Sequence, residues 1–341
     1  MWRNWDNKAI INAKEIESAV TLVITTCTNR KRQSVTGELR ICTLPSAHLA
    51  DLAAEWGDRL SSAEVRFPAH EIYGGRGFQE ARSVARELNA QLLVVSAGLG
   101  LIDASSEVPP YACTILTNAP DSVASRVDGA FSSSRWWASL VSASPFSVDF
   151  WELVNRQDGM ILCALSDAYL EMIADDLLAL PEVTRARLRL FTRAPIERIA
   201  NALRQFVMPY DDRLNGPDSP ISGTLSDFAG RALRHFASEI LVGDHRRSLT
   251  EHTALVTAAL AGWRLPEKAV RIRLEDREIL ELMRAHWRGC GGIPLRRLSV
   301  RRQNIRHNSR RKLAECGPRL GVDVRRRACG VASADTRWSV A

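Results

Sequence analysis

Short apolar runs rich in β-branched residues alternate with amphipathic stretches up to about residue 205. Residues 20–26, 92–96 and 160–166 are such runs, and their length and composition are typical of buried strands. Between these runs, segments 77–89 and 168–180 place apolar residues at helical spacing. Strands separated by helices are typical of layered domains in which helices cover a sheet. The sequence therefore predicts an α/β fold with a layered sheet and helices.

The charges of the chain are unevenly distributed. The whole chain has 46 Lys and Arg against 39 Asp and Glu, whereas residues 263–341 contain 20 Lys and Arg against 8 Asp and Glu. A strongly basic tail on a mildly acidic body indicates a polyanionic partner, although a tail that only increases solubility has a similar composition. The sequence predicts two domains, an α/β catalytic domain at residues 1–262 and a small basic helical module at residues 263–341.

The tail contains a segment typical of DNA-binding helices. Residues 295–298 and 301–315 are predicted as two short helices, and the second interleaves Arg with Asn, Gln and His. Such a pair fits a helix-turn-helix module, although any solvated basic helix has a similar pattern. We therefore expect double-stranded DNA as the partner of the tail. The residues expected to bind it are Arg301, Arg302, Arg306, Arg310, Arg311 and Lys312.

The composition argues against several classes of protein. The seven cysteines are scattered and include no Cys-x-x-Cys pair, so neither a disulfide scaffold nor a zinc ribbon is expected. No apolar run approaches the roughly 20 residues that span a bilayer, and the first residues lack the pattern of a signal peptide. Neither Gly-x-Gly-x-x-Gly nor a Walker A motif is present. We expect a cytoplasmic protein without membrane contact, metal, other cofactor or evident protein partner.

The segment that follows the second apolar run has the composition of a ligand site. The strand ends in Ser96-Ala-Gly98, and small residues at a strand end allow a ligand to approach the backbone. Asp103 and Glu107 follow in a loop that leads to a Pro-Pro-Tyr sequence, in which the rigid prolines can hold the Tyr111 ring as a stacking surface. One interpretation is a ligand site with two acidic groups. The other is an ordinary loop with exposed acids.

Two further features have both a functional and a structural interpretation. The Pro- and Gly-rich loop 207–224 contains Asp211 and Asp212, which can bind Mg²⁺ together with a phosphate, or can cap a turn and pair with Arg213. Cys27 directly follows the first predicted strand, where it is either a nucleophile or a small buried thiol. Since no His partner is evident for Cys27, the buried thiol is favoured, and turn capping is the commoner role of such an acid pair.

Several short motifs together resemble one small bacterial family. They are Thr26-Cys-Thr-Asn-Arg-Lys31, Tyr73 with Phe78 before a helix, Ser96-Ala-Gly-Leu-Gly-Leu-Ile and Pro110-Tyr111, with weaker similarities at Ala164-Leu-Ser166 and Tyr210-Asp-Asp212. Over residues 20–118 this combination resembles the uracil-glycosylase-like domain of bacterial peroxide-stress proteins and of proteins found near deazaguanine transglycosylases. This chain has Gly98 where many relatives carry Lys.

The resemblance implies a uracil-DNA-glycosylase-like fold and the activity of a DNA glycosylase. Relatives linked to phage defence remove hypermodified cytosines, so the implied substrate is a modified base of phage DNA, such as glucosylated hydroxymethylcytosine, and the product is an abasic site. Cleavage of the N-glycosidic bond develops positive charge on the sugar, for which Asp103, Glu107, Asp211 and Asp212 are the candidate catalytic carboxylates. The implied substrate-binding residues are Cys27, Asn29, Tyr73, Phe78, Ser96, Gly98, Tyr111 and Ser166, and the candidates for phosphate contacts are Lys31, Arg32 and Arg76.

Two other functions are compatible with the same sequence. A nucleoside deoxyribosyltransferase or base-exchange enzyme uses such a pocket on small molecules, but it has no need for a strongly basic tail. A DNA-binding regulator uses the tail in the same way and carries the α/β domain as a degenerate ligand sensor.

Overall fold

The computed structural model describes residues 20–242, 247–267, 277–278 and 281. The chain divides into two compact units, residues 1–266 and 267–341, and nearly all the described residues belong to the first unit. The basic residues 301–312 and the helical module predicted around them lie outside the described residues. Their assignment to DNA binding stays a prediction.

Within the described residues, five strands form a mixed sheet and two short strands form a separate antiparallel pair. In chain order the strands are β1 (Val20–Thr26), β2 (Phe67–Pro68), β3 (Gln91–Ser96), β4 (Gly100–Asp103), β5 (Glu107–Val108), β6 (Met160–Ala164) and β7 (Leu188–Phe191). The order in the sheet is β4-β3-β1-β6-β7, with β4 antiparallel to β3 and all other pairs parallel, while β2 pairs with β5. The predicted α/β sheet is confirmed.

Helices connect the strands and flank the sheet. The described α-helices are α1 (Leu49–Ser61), α2 (Ala69–Ile72), α3 (Arg76–Glu87), α4 (Ser133–Ala143), α5 (Phe150–Asn155), α6 (Asp167–Met172), α7 (Ala174–Ala179), α8 (Glu182–Arg185), α9 (Asn201–Arg204), α10 (Phe228–His235) and α11 (Leu249–Leu260). A π-helical turn, Phe236–Ile240, continues α10, and 3-10 helices are formed by Ile41–Thr43, Val123–Ser125, Ile196–Arg198, Asp212–Asn215 and Leu225–Asp227. Helix α3 packs against α10 and β1, whereas α4 packs against α1, α6 and β4. None of these described helices is long and apolar enough to cross a membrane.

The central strand β1 supplies much of the core of the sheet. Leu22, Val23 and Ile24 are fully buried, and the strand register places them beside residues 91–93 of β3 and 161–163 of β6. A continuous apolar run is required here because both faces of the sheet are covered by helices. Each such side chain stabilises the fold by roughly 1.5–3 kcal/mol when it leaves water. The carboxyl ends of β1, β3 and β6, which carry the loops described below, are therefore fixed by the packed core of the sheet.

One buried guanidinium group orders the long loop at residues 207–224. Arg231 of α10 is fully buried and lies on one side of this loop. It donates to Oδ1 of Asp227 at 2.8 Å, to the carbonyl oxygens of Leu214 at 2.8 Å, Ile221 at 3.1 Å and Thr224 at 2.9 Å, and to Oδ1 of Asn215. The loop has no regular structure over much of its length, so these side-chain contacts replace the backbone pairing of a sheet or helix.

Candidate functional site

The chain connections diverge at the carboxyl ends of β1 and β6. The chain leaves β1 towards β3 on one side, and it leaves β6 towards β7 on the other side. In open α/β sheets such a switch point creates a crevice in which ligands bind. Residues 27–31 after β1, 97–99 after β3 and 165–167 after β6 lie at this edge of the sheet.

Two buried tyrosines and a serine form a chain of hydrogen bonds at this edge. Tyr73 and Tyr111 are fully buried, and their hydroxyl oxygens lie 3.1 Å apart. Oη of Tyr111 lies 2.5 Å from Oγ of Ser96, the last residue of β3. This oxygen of Ser96 also accepts the backbone N–H of Gly98 at 3.2 Å and of Leu99 at 3.0 Å. The chain therefore connects the backbone of the β3 loop with both phenol groups.

The three hydroxyl groups of this chain carry three hydrogens, and two hydrogen bonds join them in sequence. Because both lone pairs of Ser96 Oγ accept backbone N–H groups, the serine hydrogen is donated to Tyr111. Tyr73 and Tyr111 share one hydrogen bond but carry two hydroxyl hydrogens. One of these hydrogens is therefore not used in the hydrogen bond between the two phenols.

A third tyrosine joins the two sides of the switch point. Oη of Tyr169, in helix α6, lies 3.1 Å from Sγ of Cys27, which directly follows β1. Both residues are buried, as the structural interpretation of Cys27 expects. The whole chain has four tyrosines, so three of them converge at this edge of the sheet. We call Cys27, Lys31, Tyr73, Ser96, Tyr111 and Tyr169 the tyrosine cluster.

Burial keeps the three phenols of the tyrosine cluster protonated. Burial is the main cause that raises the pKa of Tyr73, Tyr111 and Tyr169, and a negative charge on Cys27 would raise these pKa values further. Deprotonation of a phenol in this environment leaves a charge without water to solvate it. The hydroxyl groups are therefore hydrogen-bond donors at neutral pH.

Lys31 is the basic member of the tyrosine cluster. Its Nζ lies 4.7 Å from the centroid of the Tyr73 ring and 4.4 Å from that of the Tyr111 ring, and it donates to the carbonyl oxygen of Thr28 at 2.5 Å. An antiparallel bridge between the backbones of Lys31 and Tyr73 fixes this placement. Burial is the main cause that lowers the pKa of Lys31. No carboxylate among the described residues forms an ion pair with its ammonium group.

The β3 loop has no space for a side chain at position 98. A Cβ atom on Gly98 would lie 2.6 Å from two ring carbons of Tyr111. The loop cannot easily shift, because its carbonyl oxygens accept the indole N–H groups of Trp56 at 2.7 Å and of Trp136 at 2.9 Å. Lys31 instead reaches the ring of Tyr111 from the loop that follows β1.

The acids predicted in the loop after β3 lie apart from the tyrosine cluster. The strand register places Asp103 three residues from Ser96 along β3, roughly 10 Å away. Its carboxylate accepts from the side chain of Gln91 at 2.6 Å and from the backbone of Ser105 at 2.7 Å. Partial burial raises the pKa of Asp103, but these hydrogen bonds outweigh it and hold the pKa below its usual value. Glu107 is exposed on β5. The structure brings neither carboxylate into the cluster.

The acid pair of the long loop is engaged with arginines. Asp211 caps a 3-10 helix by accepting the backbone N–H of Arg213 at 2.9 Å, and it forms an ion pair with the same arginine at 2.9 Å. Partial burial raises the pKa of Asp211, but the hydrogen bonds from Arg213 lower it below its usual value. Asp212 pairs with Arg193 at 3.1 Å. Asp211 and Asp212 therefore have the structural role predicted as the alternative to a Mg²⁺ site, in which the pair caps a turn and binds arginines. The described residues contain no cluster of three potential metal ligands.

The remaining predicted residues form the surroundings of the tyrosine cluster. Phe78 is buried, and its ring centroid lies 5.2 Å from that of Tyr73. Ser166 is exposed and immediately precedes α6. Asn29 and Arg32 are exposed in the loop after β1, and Arg76, at the start of α3, forms an exposed ion pair within its own helix. These side chains are exposed to solvent and lie outside the core.

Sequence reasoning missed Tyr169 and Cys113 as members of this region. Tyr169 lies in the first turn of the helix after β6, and this position next to a switch point is the signal that would have found it. Cys113 is buried two residues after Tyr111, and its Sγ donates to the carbonyl oxygen of Ala97 at 3.2 Å. The period of two residues in an extended segment places Tyr111 and Cys113 on the same side.

Comparison with protein-family models, with curated proteins and with solved structures finds no match to this chain. The resemblance to uracil-glycosylase-like domains therefore rests on the motifs of the sequence. The α/β sheet and the tyrosine cluster stand on the structure alone.

Proposed function

We propose that the tyrosine cluster binds a base extruded from DNA and that the chain is a DNA glycosylase. The observation that carries this proposal is the hydrogen-bonded chain of Tyr73, Tyr111 and Ser96 next to Lys31 at a switch point of the sheet. Recognition of an extruded base requires aromatic surface together with a few donors aimed at the edge of the base. The tyrosine cluster contains both kinds of group, and because Tyr73 and Tyr111 are fully buried, their rings must move before a base can stack on them.

The donors of the tyrosine cluster act on the departing base. When the N-glycosidic bond breaks, its electrons go to the base while positive charge develops on the sugar. A phenol that donates a hydrogen bond to the base stabilises this developing negative charge more than it stabilises the intact nucleotide, so the barrier falls. Water then adds to C1′ of the sugar and leaves an abasic site.

A carboxylate beside the sugar is the alternative source of catalysis. Asp103, Glu107, Asp211 and Asp212 remain candidates from the sequence, and none of them belongs to the tyrosine cluster. The variants Asp103→Asn, Glu107→Gln, Asp211→Asn and Asp212→Asn separate the two mechanisms, since each keeps the shape of the side chain and removes its charge. Base excision at the parent rate by all four variants supports activation of the leaving base by the cluster.

Two features support DNA rather than a free nucleoside as the substrate. Exposed Arg32 and Arg76 lie on segments that adjoin the tyrosine cluster, and the tail has a large excess of positive charge. Contacts to phosphates position a protein on DNA but do not select a base. The choice of glucosylated hydroxymethylcytosine in phage DNA follows from the resemblance, and this substrate implies action in the cytoplasm, where phage DNA enters.

Release of free base from defined substrates tests the proposal. The full-length protein is incubated with a duplex that contains one glucosylated hydroxymethylcytosine, with an unmodified duplex and with the free modified deoxynucleoside, and released base is measured by mass spectrometry. We expect release from the modified duplex. Release from the free deoxynucleoside alone would favour a base-exchange enzyme, and DNA binding without any release would favour a regulator.

A further inference from the structure

Lys31 is the one lysine among the described residues, and its amine faces two phenol rings. The chain has five lysines, and the other four, at positions 8, 14, 268 and 312, lie outside the described residues. The basic residues near Lys31 are arginines, whose guanidinium groups stay protonated and do not act as nucleophiles. Within the part of the chain that the structure describes, Lys31 is therefore the one lysine, and its amine lies beside two phenol rings.

Burial makes the amine of Lys31 easier to deprotonate than that of an exposed lysine. Its Nζ faces the rings of Tyr73 and Tyr111 and has one backbone carbonyl, that of Thr28, as its acceptor among the described residues. Burial is the main cause that lowers the pKa of Lys31, and a negative charge on Cys27 or on Cys113 would oppose this effect. Burial raises the pKa of Cys113 well above its usual value, so that thiol stays neutral. A buried amine without a carboxylate is a nucleophile towards carbonyl carbon.

We propose that Lys31 forms an imine with the aldehyde of an abasic deoxyribose and that the protein thereby cleaves the DNA strand at the site from which the base has been removed. The inference rests on the proposed function for its choice of DNA as substrate. An abasic deoxyribose is in equilibrium with its open form, which has an aldehyde at C1′. This aldehyde is the carbonyl group that the proposed excision itself generates next to the tyrosine cluster.

The steps balance without an oxidant or a reductant. The neutral amine of Lys31 adds to C1′, and the resulting carbinolamine takes up a proton and loses water to give a protonated imine. The imine withdraws electrons from C2′, which loses a proton to water. A double bond forms between C2′ and C3′ as the bond from C3′ to the phosphate oxygen breaks. Water then hydrolyses the imine, which returns the amine of Lys31 and leaves an unsaturated aldehyde on the sugar.

The phenols of the tyrosine cluster suit the step in which water is lost. The hydroxyl group of the carbinolamine leaves only when it is protonated or accepts a strong hydrogen bond. The hydroxyl groups of Tyr73 and Tyr111 belong to the two rings that Nζ faces, and one of their hydrogens is not used in the bond between them. The same donor that assists departure of the base in the first reaction can assist departure of water in the second.

Reduction with borohydride tests this inference directly. The full-length protein is mixed with a duplex that carries one preformed abasic site, and sodium borohydride is added to reduce any imine to a stable secondary amine. We expect a covalent adduct between protein and DNA, located at Lys31 by mass spectrometry after digestion with a protease that does not cut at Lys or Arg. Absence of an adduct in the parent protein, or an adduct at the amino terminus or another lysine, overturns the inference.

Two variants provide the matched comparison. Lys31→Met keeps much of the apolar length of the side chain and removes the amine, so we expect loss of the adduct and of strand cleavage, whereas Lys14→Met should retain both. An unchanged yield of adduct in Lys31→Met contradicts the proposal. If Lys31→Met does not fold, the location of the adduct in the parent protein decides alone. Because the abasic site is supplied, failure of this reaction and failure of base excision are separate results.

Discussion

Two basic residues in this structure, the fully buried Arg231 and the half-buried Lys31, have opposite surroundings. Arg231 donates hydrogen bonds to five acceptors of the described residues, and one of them is the carboxylate of Asp227. Lys31 has one backbone carbonyl as its acceptor among the described residues and lies over two aromatic rings. The guanidinium group of Arg231 is therefore saturated by the protein, whereas the amine of Lys31 is not.

The contrast distinguishes a basic residue with a structural role, Arg231, from one that can bind a ligand, Lys31. A buried charge with a full set of partners holds a loop in place, and its removal leaves those partners unsatisfied. A buried amine without such partners contributes little to the fold and has capacity for a ligand. The variants below test this distinction, in order of decreasing expected effect.

Loss of Arg231 is expected to have the largest effect on stability. Arg231→Met leaves Asp227 as an uncompensated, largely buried charge and deprives four further acceptors of the loop of their donor. We expect the free energy of unfolding to fall by about 3–5 kcal/mol, as measured by denaturant unfolding. The matched control is Arg234→Met in the same helix, which breaks a more exposed ion pair with Glu87 and is expected to cost less than about 1 kcal/mol. Equal losses in the two variants would contradict the contrast.

An added methyl group at Gly98 is expected to have an intermediate effect. Gly98→Ala places a carbon 2.6 Å from the Tyr111 ring, so the ring or the loop must move. We expect a loss of about 1–3 kcal/mol in the free energy of unfolding, as for other overpacked sites. Gly37→Ala is the control, because nothing lies within 4 Å of its added carbon. A neutral effect of Gly98→Ala would show that the β3 loop is more adaptable than its contacts imply.

Loss of Lys31 is expected to have the smallest effect on stability. At neutral pH, Lys31→Met should change the free energy of unfolding by less than about 1 kcal/mol, because the contact with the two rings is lost together with the cost of burying the charge. The pKa of Lys31 is lower in the folded state, so the unfolded chain binds more protons and this residue increases stability as the pH rises towards about 10. Denaturant unfolding of both proteins at several pH values should show the parent gaining on the variant with rising pH. A loss with rising pH would have the wrong sign for a buried amine.

The fold was predictable wherever burial acts on a continuous run of residues. The apolar runs at 20–26, 92–96 and 160–166 correspond to β1, β3 and β6, since a strand covered on both faces must be apolar throughout. The predicted helix at 168–180 is observed as two shorter helices, α6 and α7, which meet at Ile173. Helix boundaries depend on local hydrogen bonds that periodicity alone does not specify.

The site was less predictable because its members are distant in the sequence. The motifs singled out Cys27, Tyr73, Ser96 and Tyr111, and the structure brings all four together. Local sequence also singled out Asp103, but the register of the β3–β4 pair sets it away from the strand end. Tyr169 joins the cluster only through the order of β1 and β6 in the sheet, which no local pattern encodes.

Removal of one hydroxyl group is the most direct test of the claim that the tyrosine cluster is the reactive site. Tyr111→Phe removes the phenol that links Ser96 to Tyr73, and Tyr210→Phe removes a phenol that is also buried but bonds to His235 outside the cluster. With the modified duplex as substrate, we predict that Tyr111→Phe releases base about 100-fold or more slowly than the parent protein, as expected for loss of one preorganised donor. Tyr210→Phe should stay close to the parent rate. Equal rates of base release by the two folded variants would contradict the account.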